Sequence, residues 1–165
     1  MADRVDPHVF YAYDDAALLV SMDGGASFAP RARLPAGGSH LVRAVPARAG
    51  DVWVALKNGG LVRSVDGGAH FSDIAKVAYC GAVGFGKAAP GRDYPAVYVW
   101  GEVDGVRGVY RSIDAGATWT RINDDAHQYG GPGDGEFIVG DMNRYGVVYM
   151  STAGRGIVYG TPVTD

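Results

Sequence analysis

An eight-residue signature recurs three times along the chain, as SMDGGASF (Ser21 to Phe28), SVDGGAHF (Ser64 to Phe71) and SIDAGATW (Ser112 to Trp119), spaced by 43 and then 48 residues. A period in the forties with turn chemistry inside each unit predicts one four-stranded β-propeller blade per repeat, because a single blade cannot bury both faces and has to stack on neighbours. The expected fold class is therefore all-β: a partial β-propeller of four-stranded antiparallel blades, two complete and two incomplete.

The signature is the Asp-box pattern, Ser/Thr-x-Asp-x-Gly-x-x-aromatic, and it has a mechanical reading. The aspartate accepts hydrogen bonds from backbone N–H groups in the turn, the glycines allow positive φ, and the final aromatic packs beneath the hairpin. Asp23, Asp66 and Asp114, with Phe28, Phe71 and Trp119, are thus expected to be structural rather than catalytic or metal-binding.

The strands can be laid over one another. VFYAY (Val9 to Tyr13), VWVAL (Val52 to Leu56), VYVW (Val97 to Trp100) and VVYM (Val147 to Met150) are apolar runs bounded by turn residues, each followed by a second run: ALLVS, GLVRS, GVYRS and GIVYG. From first valine to box serine the offset is 12, 12 and then 15, which reads as a longer turn, EVDGVRG, in the third unit. Each box leads into a further strand, at Phe28 to Arg33, Phe71 to Ala75 and Trp119 to Ile122. A preceding strand is visible before the second, third and fourth runs, at LVRAVP, AVGFG and EFIVGD. The expectation is one partial propeller over residues 1–165, with blade parts at about 8–34, 40–76, 80–123 and 136–161. A part-blade at each end leaves open strand edges that invite edge-to-edge self-association.

Composition narrows the partners. The chain has 165 residues, about half of what a complete six- or seven-bladed ring of this period needs. Glycine is abundant at 26 residues and no segment sustains a spacing of three and four, so short strands and tight turns are expected with almost no helix. A net charge of −3 with scattered Lys and Arg argues against nucleic acid. No apolar run reaches 18 residues and the N-terminus has no signal core, so neither a membrane partner nor an export signal is read in the chain. One cysteine, Cys80, excludes an intrachain disulfide framework. The four histidines stand one per unit without ligand spacing, so no metal and no cofactor is expected. No GxSxG, HExxH, P-loop or dinucleotide fingerprint occurs.

Longer stretches are more specific than the box. GVYRSIDAGATWTRINDDAHQYGG (Gly108 to Gly131) and GDMNRYGVVYMSTAGRGIVYG (Gly140 to Gly160) resemble the C-terminal end of glycoside hydrolase family 74, whose members act on xyloglucan. ADRVDPHVFYAYD (Ala2 to Asp14) and VGFGKAAPGRDYPAVYV (Val83 to Val99) resemble it too. The resemblance implies two tandem seven-bladed propellers facing each other across a polysaccharide cleft, secretion of the parent enzyme, and inverting hydrolysis by two aspartates. Inversion needs two carboxyl groups about 6.5–9.5 Å apart. This chain corresponds to the last blades of the second propeller, and no position matches either catalytic motif, so no catalytic residue is carried over. The expected function is one side of the glucan-binding cleft, inactive alone, with xyloglucan and the missing blades as partners.

Sugars are held by aromatic faces and by polar groups at their rim. The candidate contacts are Trp100, placed before the long turn, together with Tyr98, and Tyr129, His127 and Asp125 in the family-like NDDAHQYGG run. Trp53, inside VWVAL, and Trp119 read as core. Asp124 and Asp125 are adjacent, and neighbours on a strand point to opposite faces, so a turn or capping role is favoured over an acid–base pair. For the His127 loop, bracing by its own hydrogen bonds is the competing reading. Two other functions fit the repeat: a stand-alone carbohydrate-binding propeller, and a protein-interaction propeller of the sortilin or photosystem-assembly kind. The single cysteine disfavours the sortilin type, and no spaced arginine set supports a sialidase.

Overall fold

A computed structural model describes residues 1–14, 16–39, 41–127 and 137–162. It contains no helix among them and fourteen strands in four antiparallel sheets. The chain divides into two compact units, Met1–Ile74 and Ala75–Asp165.

The first unit holds two sheets. One is β1 (Phe10–Asp14), β2 (Ala17–Ser21) and β3 (Ala29–Arg33); the other is β4 (Leu41–Ala44), β5 (Val52–Ala55), β6 (Leu61–Ser64) and β7 (Ser72–Asp73). Both are meanders in which each strand pairs with the next. In β1 and β2 the alternation of buried and half-buried positions turns Tyr11, Tyr13, Leu18 and Val20 toward a shared core with Val42, Val54 and Val62 of the second sheet. A register shift at Leu18/Leu19 admits Pro30, which has no N–H to give the ladder. The N-terminal segment is fastened by Asp3. Its carboxylate accepts hydrogen bonds from the N–H groups of Val5, Asp6 and Gly50 and from the Tyr11 hydroxyl, at 2.8 to 3.0 Å. Burial raises the Asp3 pKa, but these four donors outweigh it and the net shift is downward. The Tyr11 hydroxyl is pushed up, first by burial and then by the same carboxylate.

The second unit holds β8 (Val77–Gly86), β9 (Ala96–Val103), β10 (Val106–Ser112) and β11 (Thr120–Arg121) in one sheet, and β12 (Ile138–Gly140), β13 (Val148–Ser151) and β14 (Ile157–Gly160) in the other. Here the inner strands meet closely. A methyl group at Gly84 would overlap the carbonyl of Ile138, and one at Gly86 would stand 2.7 Å from the Cα of Gly140 and 3.0 Å from the Tyr98 ring. Glycine in AVGFG is therefore what lets β12 lie against β8 with Tyr98 beside them.

Two expectations need correction. The third hairpin has no long turn: β9 and β10 run on to Val103 and from Val106, joined only by Asp104 and Gly105 at φ 49° and 80°. That is the two-residue turn that matches strand twist, so the larger offset of the third unit is extra strand. The strands after the boxes are also shorter than expected at β7 and β11. Ile74 and Ile122 still donate to Leu61 and Val109, so each pairing outlasts its strand by one bond.

Candidate functional site

The three signature turns share one hydrogen-bond design. In the first, Ser21 Oγ donates to Asp23 Oδ1 at 2.7 Å and accepts from the Gly25 N–H at 2.9 Å, while Ser27 gives its N–H to Asp23 Oδ1 and its hydroxyl to Oδ2. Ser64, Asp66, Gly68 and His70 repeat this, with His70 Nδ1 at 2.7 Å from Asp66 Oδ2. Ser112, Asp114, Gly116 and Thr118 repeat it again. The pattern read from the sequence left the seventh position open. The structure shows that it always carries a side-chain partner for the aspartate, a signal present in the sequence as Ser27, His70 and Thr118.

The shifts follow from these bonds. Asp23 is held well below the usual carboxylate range, first by the Ser27 hydroxyl and then by Ser21. Asp66 is lowered first by the His70 N–H and then by its imidazole. For Asp114, burial acts upward but the Thr118 and Ser112 bonds prevail. All three carboxylates are engaged in holding the turn.

The box aromatics do not all pack. Phe71 lies against the core shared by the first two sheets and Trp119 is half-buried, but Phe28 is 44% exposed. Phe71 packs toward the sheet that precedes its own.

The sugar-contact candidates separate into two groups. Tyr98 is fully buried and Trp100 is 6% exposed, so neither ring offers a face to a ligand. Trp100 sits in the middle of β9 because the turn comes only at Asp104, and it pairs with Val109 and Ala82 in the ladders on either side. Asp125 and His127 are at the surface, in the turn that follows β11. Tyr129 lies outside the described residues.

That turn is built around Asn123. Its Oδ1 accepts from the Val109 N–H at 2.7 Å, and its Nδ2 donates to the carbonyls of Asp124 and His127. Asp124 Oδ1 accepts the His127 N–H at 2.9 Å and faces His127 Nδ1 at 2.6 Å. The imidazole bond is the leading cause of the lowered Asp124 pKa. Asp125, 88% exposed, is tied to Arg121 at 2.6 Å. The adjacent aspartates thus serve two different partners and cap a turn.

Beside the turn lies a crevice of about 240 Å³, lined by Val109 and Ile122 and by Val148, Met150, Val158, Tyr159 and Gly160 of the last sheet and its flanks. Asn123, Asp124 and His127 also line it. A larger hollow of about 440 Å³ in the first unit is lined by Asp3, Tyr11, Arg31 and Gly50 among others, but the Asp3 carboxylate there is already filled by its four donors. Among the described residues no group of three His, Cys, Asp or Glu side chains is placed to hold a metal ion.

Meander sheets, a repeated Ser-x-Asp turn between the last two strands, and inter-sheet packing through glycine define a propeller-type blade protein. Its relatives are consistent. The chain is 48% identical over 168 residues to xyloglucanase Xgh74A of Acetivibrio thermocellus, covering 99% of this chain and 19% of that protein. It is 45% identical over 170 residues to a xyloglucanase of a Paenibacillus species, covering 99% and 16%. Among solved structures, the family 74 enzyme of Niastella koreensis matches with a TM-score of 0.93 at 53% identity, over 96% of this chain and 24% of that one. The family 74 xyloglucanase of Xanthomonas campestris matches at 0.86 and 40%, over 99% and 24%. No family model matches the chain. The chain belongs to glycoside hydrolase family 74 as a segment, spanning between 16% and 24% of the length of these relatives.

Proposed function

We infer that the chain serves as part of a xyloglucan-cleaving enzyme, forming one side of the glucan-binding cleft without supplying the catalytic carboxylates. The observation that carries this is agreement along almost the whole chain with xyloglucanases, in sequence and in backbone. The four sheets are read as consecutive parts of one partial propeller over residues 1–165, a rigid scaffold whose loops carry function. Its partners in this reading are xyloglucan or its oligosaccharides and the remaining blades of the enzyme, and its open strand edges favour self-association in their absence. The two aspartates required for inversion come from outside the chain, since no stretch here matches either catalytic motif.

Calorimetric titration of the folded chain with xyloglucan oligosaccharide, followed by analysis of the same sample for new reducing ends, tests the reading. Saturable heat without cleavage is expected. Sustained heat with new reducing ends would show that a catalytic pair lies within these residues and overturn it.

A further inference from the structure

We propose that the hollow in the first unit is a binding site for a small apolar carboxylate, whose body lies against Val9 and Val20 and whose charge is received by Arg31. The inference does not depend on the glucan reading.

The hollow exists because the first sheet departs from the repeat. In the second sheet Trp53 pairs with Arg63, the residue before the box serine, and in the third Tyr98 pairs with Arg111 in the same place. The Arg63 guanidinium lies 5.5 Å from the centre of the Trp53 ring and bonds both oxygens of Asp51, at 2.9 and 2.6 Å. The first sheet keeps the aromatic, as Tyr11, but sets Val20 opposite it. Two residues before the aromatic it has Val9, where the second sheet has Asp51. An ion pair is thus replaced by two short apolar side chains, and both line the space of about 440 Å³. That volume is within the roughly 300–1,000 Å³ of small-molecule pockets, and an apolar body gains by leaving water there. A second departure supplies the charge. Leu19 pairs with Pro30 and Leu18 with Ala32, so Arg31 is the extra residue of a β-bulge, whereas β6 and β7 pair without a shift. A methyl group at Gly68 would stand 3.8 Å from Arg31 Cγ, which places the arginine stem beside the second box turn, at the wall of the hollow. Among the described residues Arg31 has no hydrogen bond or ion pair. Three acids also face the space. Asp3 is filled by its four donors, Asp66 by Ser64 and His70, and Asp6 takes the His8 N–H. Arg31 is the one cation there, its donors are unused, and its planar fork matches a carboxylate with two bonds.

The test is an amide-resolved NMR titration of the chain with benzoate, benzyl alcohol and benzylamine, three probes of similar size that differ in charge. Saturable benzoate shifts are expected at Val9, Val20, Met22, Arg31 and Val65. Benzyl alcohol should bind about tenfold more weakly, and benzylamine more weakly still. Arg31→Gln should bring benzoate down to the level of the alcohol and leave the alcohol unchanged. Val9→Asp combined with Val20→Arg rebuilds the Asp51–Arg63 arrangement and should close the site to all three probes. If that pair does not fold, Val65→Trp narrows the hollow from an exposed lining position and should weaken all three. Benzylamine binding as tightly as benzoate, benzoate affinity unchanged in Arg31→Gln, or shifts that map elsewhere would each overturn the proposal. So would a folded chain that shows no saturable shift with any probe.

Discussion

Ser21, Ser64 and Ser112 are almost completely buried, whereas Asp23 and Asp66, which they bond, are exposed. The hydroxyl is therefore the centre of each turn: it donates to the carboxylate and accepts backbone N–H groups, of which those of Gly68 and Gly116 are buried. Ser64→Ala should cost about 1–3 kcal/mol, read from chemical denaturation, because it leaves the buried Gly68 N–H unsatisfied. The fourth box position is a second sensitive point. Gly24 and Gly67 hold φ of 75° and 70° there, and Ala115 holds 57°, a region that costs an L-residue about 1–2 kcal/mol. Ala115→Gly relieves that strain against a glycine entropy cost of about 0.5–1 kcal/mol, so a net gain of up to about 1 kcal/mol is expected, seen as a higher thermal midpoint. The lowered carboxylates also set an acid limit. A group whose folded pKa is depressed contributes stability that is fully present above its unfolded value, about 3.9, and lost as pH falls through the folded one. The thermal midpoint should therefore stay flat from neutral pH to about 5 and fall below about 4, and Asp23→Asn should flatten that fall. An unchanged acid slope in that variant would contradict the assignment.

At the scale of the element, the contact between β8 and β12 is the most specific packing in the second unit. Gly84→Ala sets a methyl group against the Ile138 carbonyl, and neither backbone can yield without breaking its ladder. A loss of about 2–3 kcal/mol is expected, with amide exchange accelerated first in β12 and β13. These strands were legible beforehand because valine runs and box spacing both mark them, and each source checks the other. What misled was the end of the third hairpin. GEVDGVRG carries three glycines and two acids, which reads as loop, yet only Asp104 and Gly105 turn, while Glu102 and Arg107 pair across the ladder. Strand length there is decided by cross-strand pairing, which no local composition displays. Trp100 was placed at a strand exit for this reason, and its burial follows from the longer strand. The crevice was hidden for a related reason, since Val109, Met150 and Val158 look like ordinary strand residues until two sheets bring them together.

For the whole molecule, what matters is that the last sheet carries an exposed apolar row among the described residues. Ile138, Val148 and Met150 are buried, while Val139, Tyr149 and Tyr159, which pair in one row across β12, β13 and β14, are 41%, 36% and 71% exposed. Ile157 is exposed beside them, and the two tyrosine rings stand 6.3 Å apart. By contrast, β5 and all but one residue of β9 are buried on both faces. Among the described residues no strand pairs with the second edge of β14, and an exposed apolar row beside such an edge favours contact with another surface. Such a surface associates by mass action. Sedimentation of the chain should therefore show self-association that rises with concentration, and the thermal midpoint should rise with it. Tyr159→Lys places a charge in the row without disturbing the buried face, so it should shift the equilibrium toward monomer while leaving the far-ultraviolet spectrum unchanged. A variant that associates as strongly as the parent would move the contact to the strand edges, where backbone pairing rather than side-chain burial would hold the copies together.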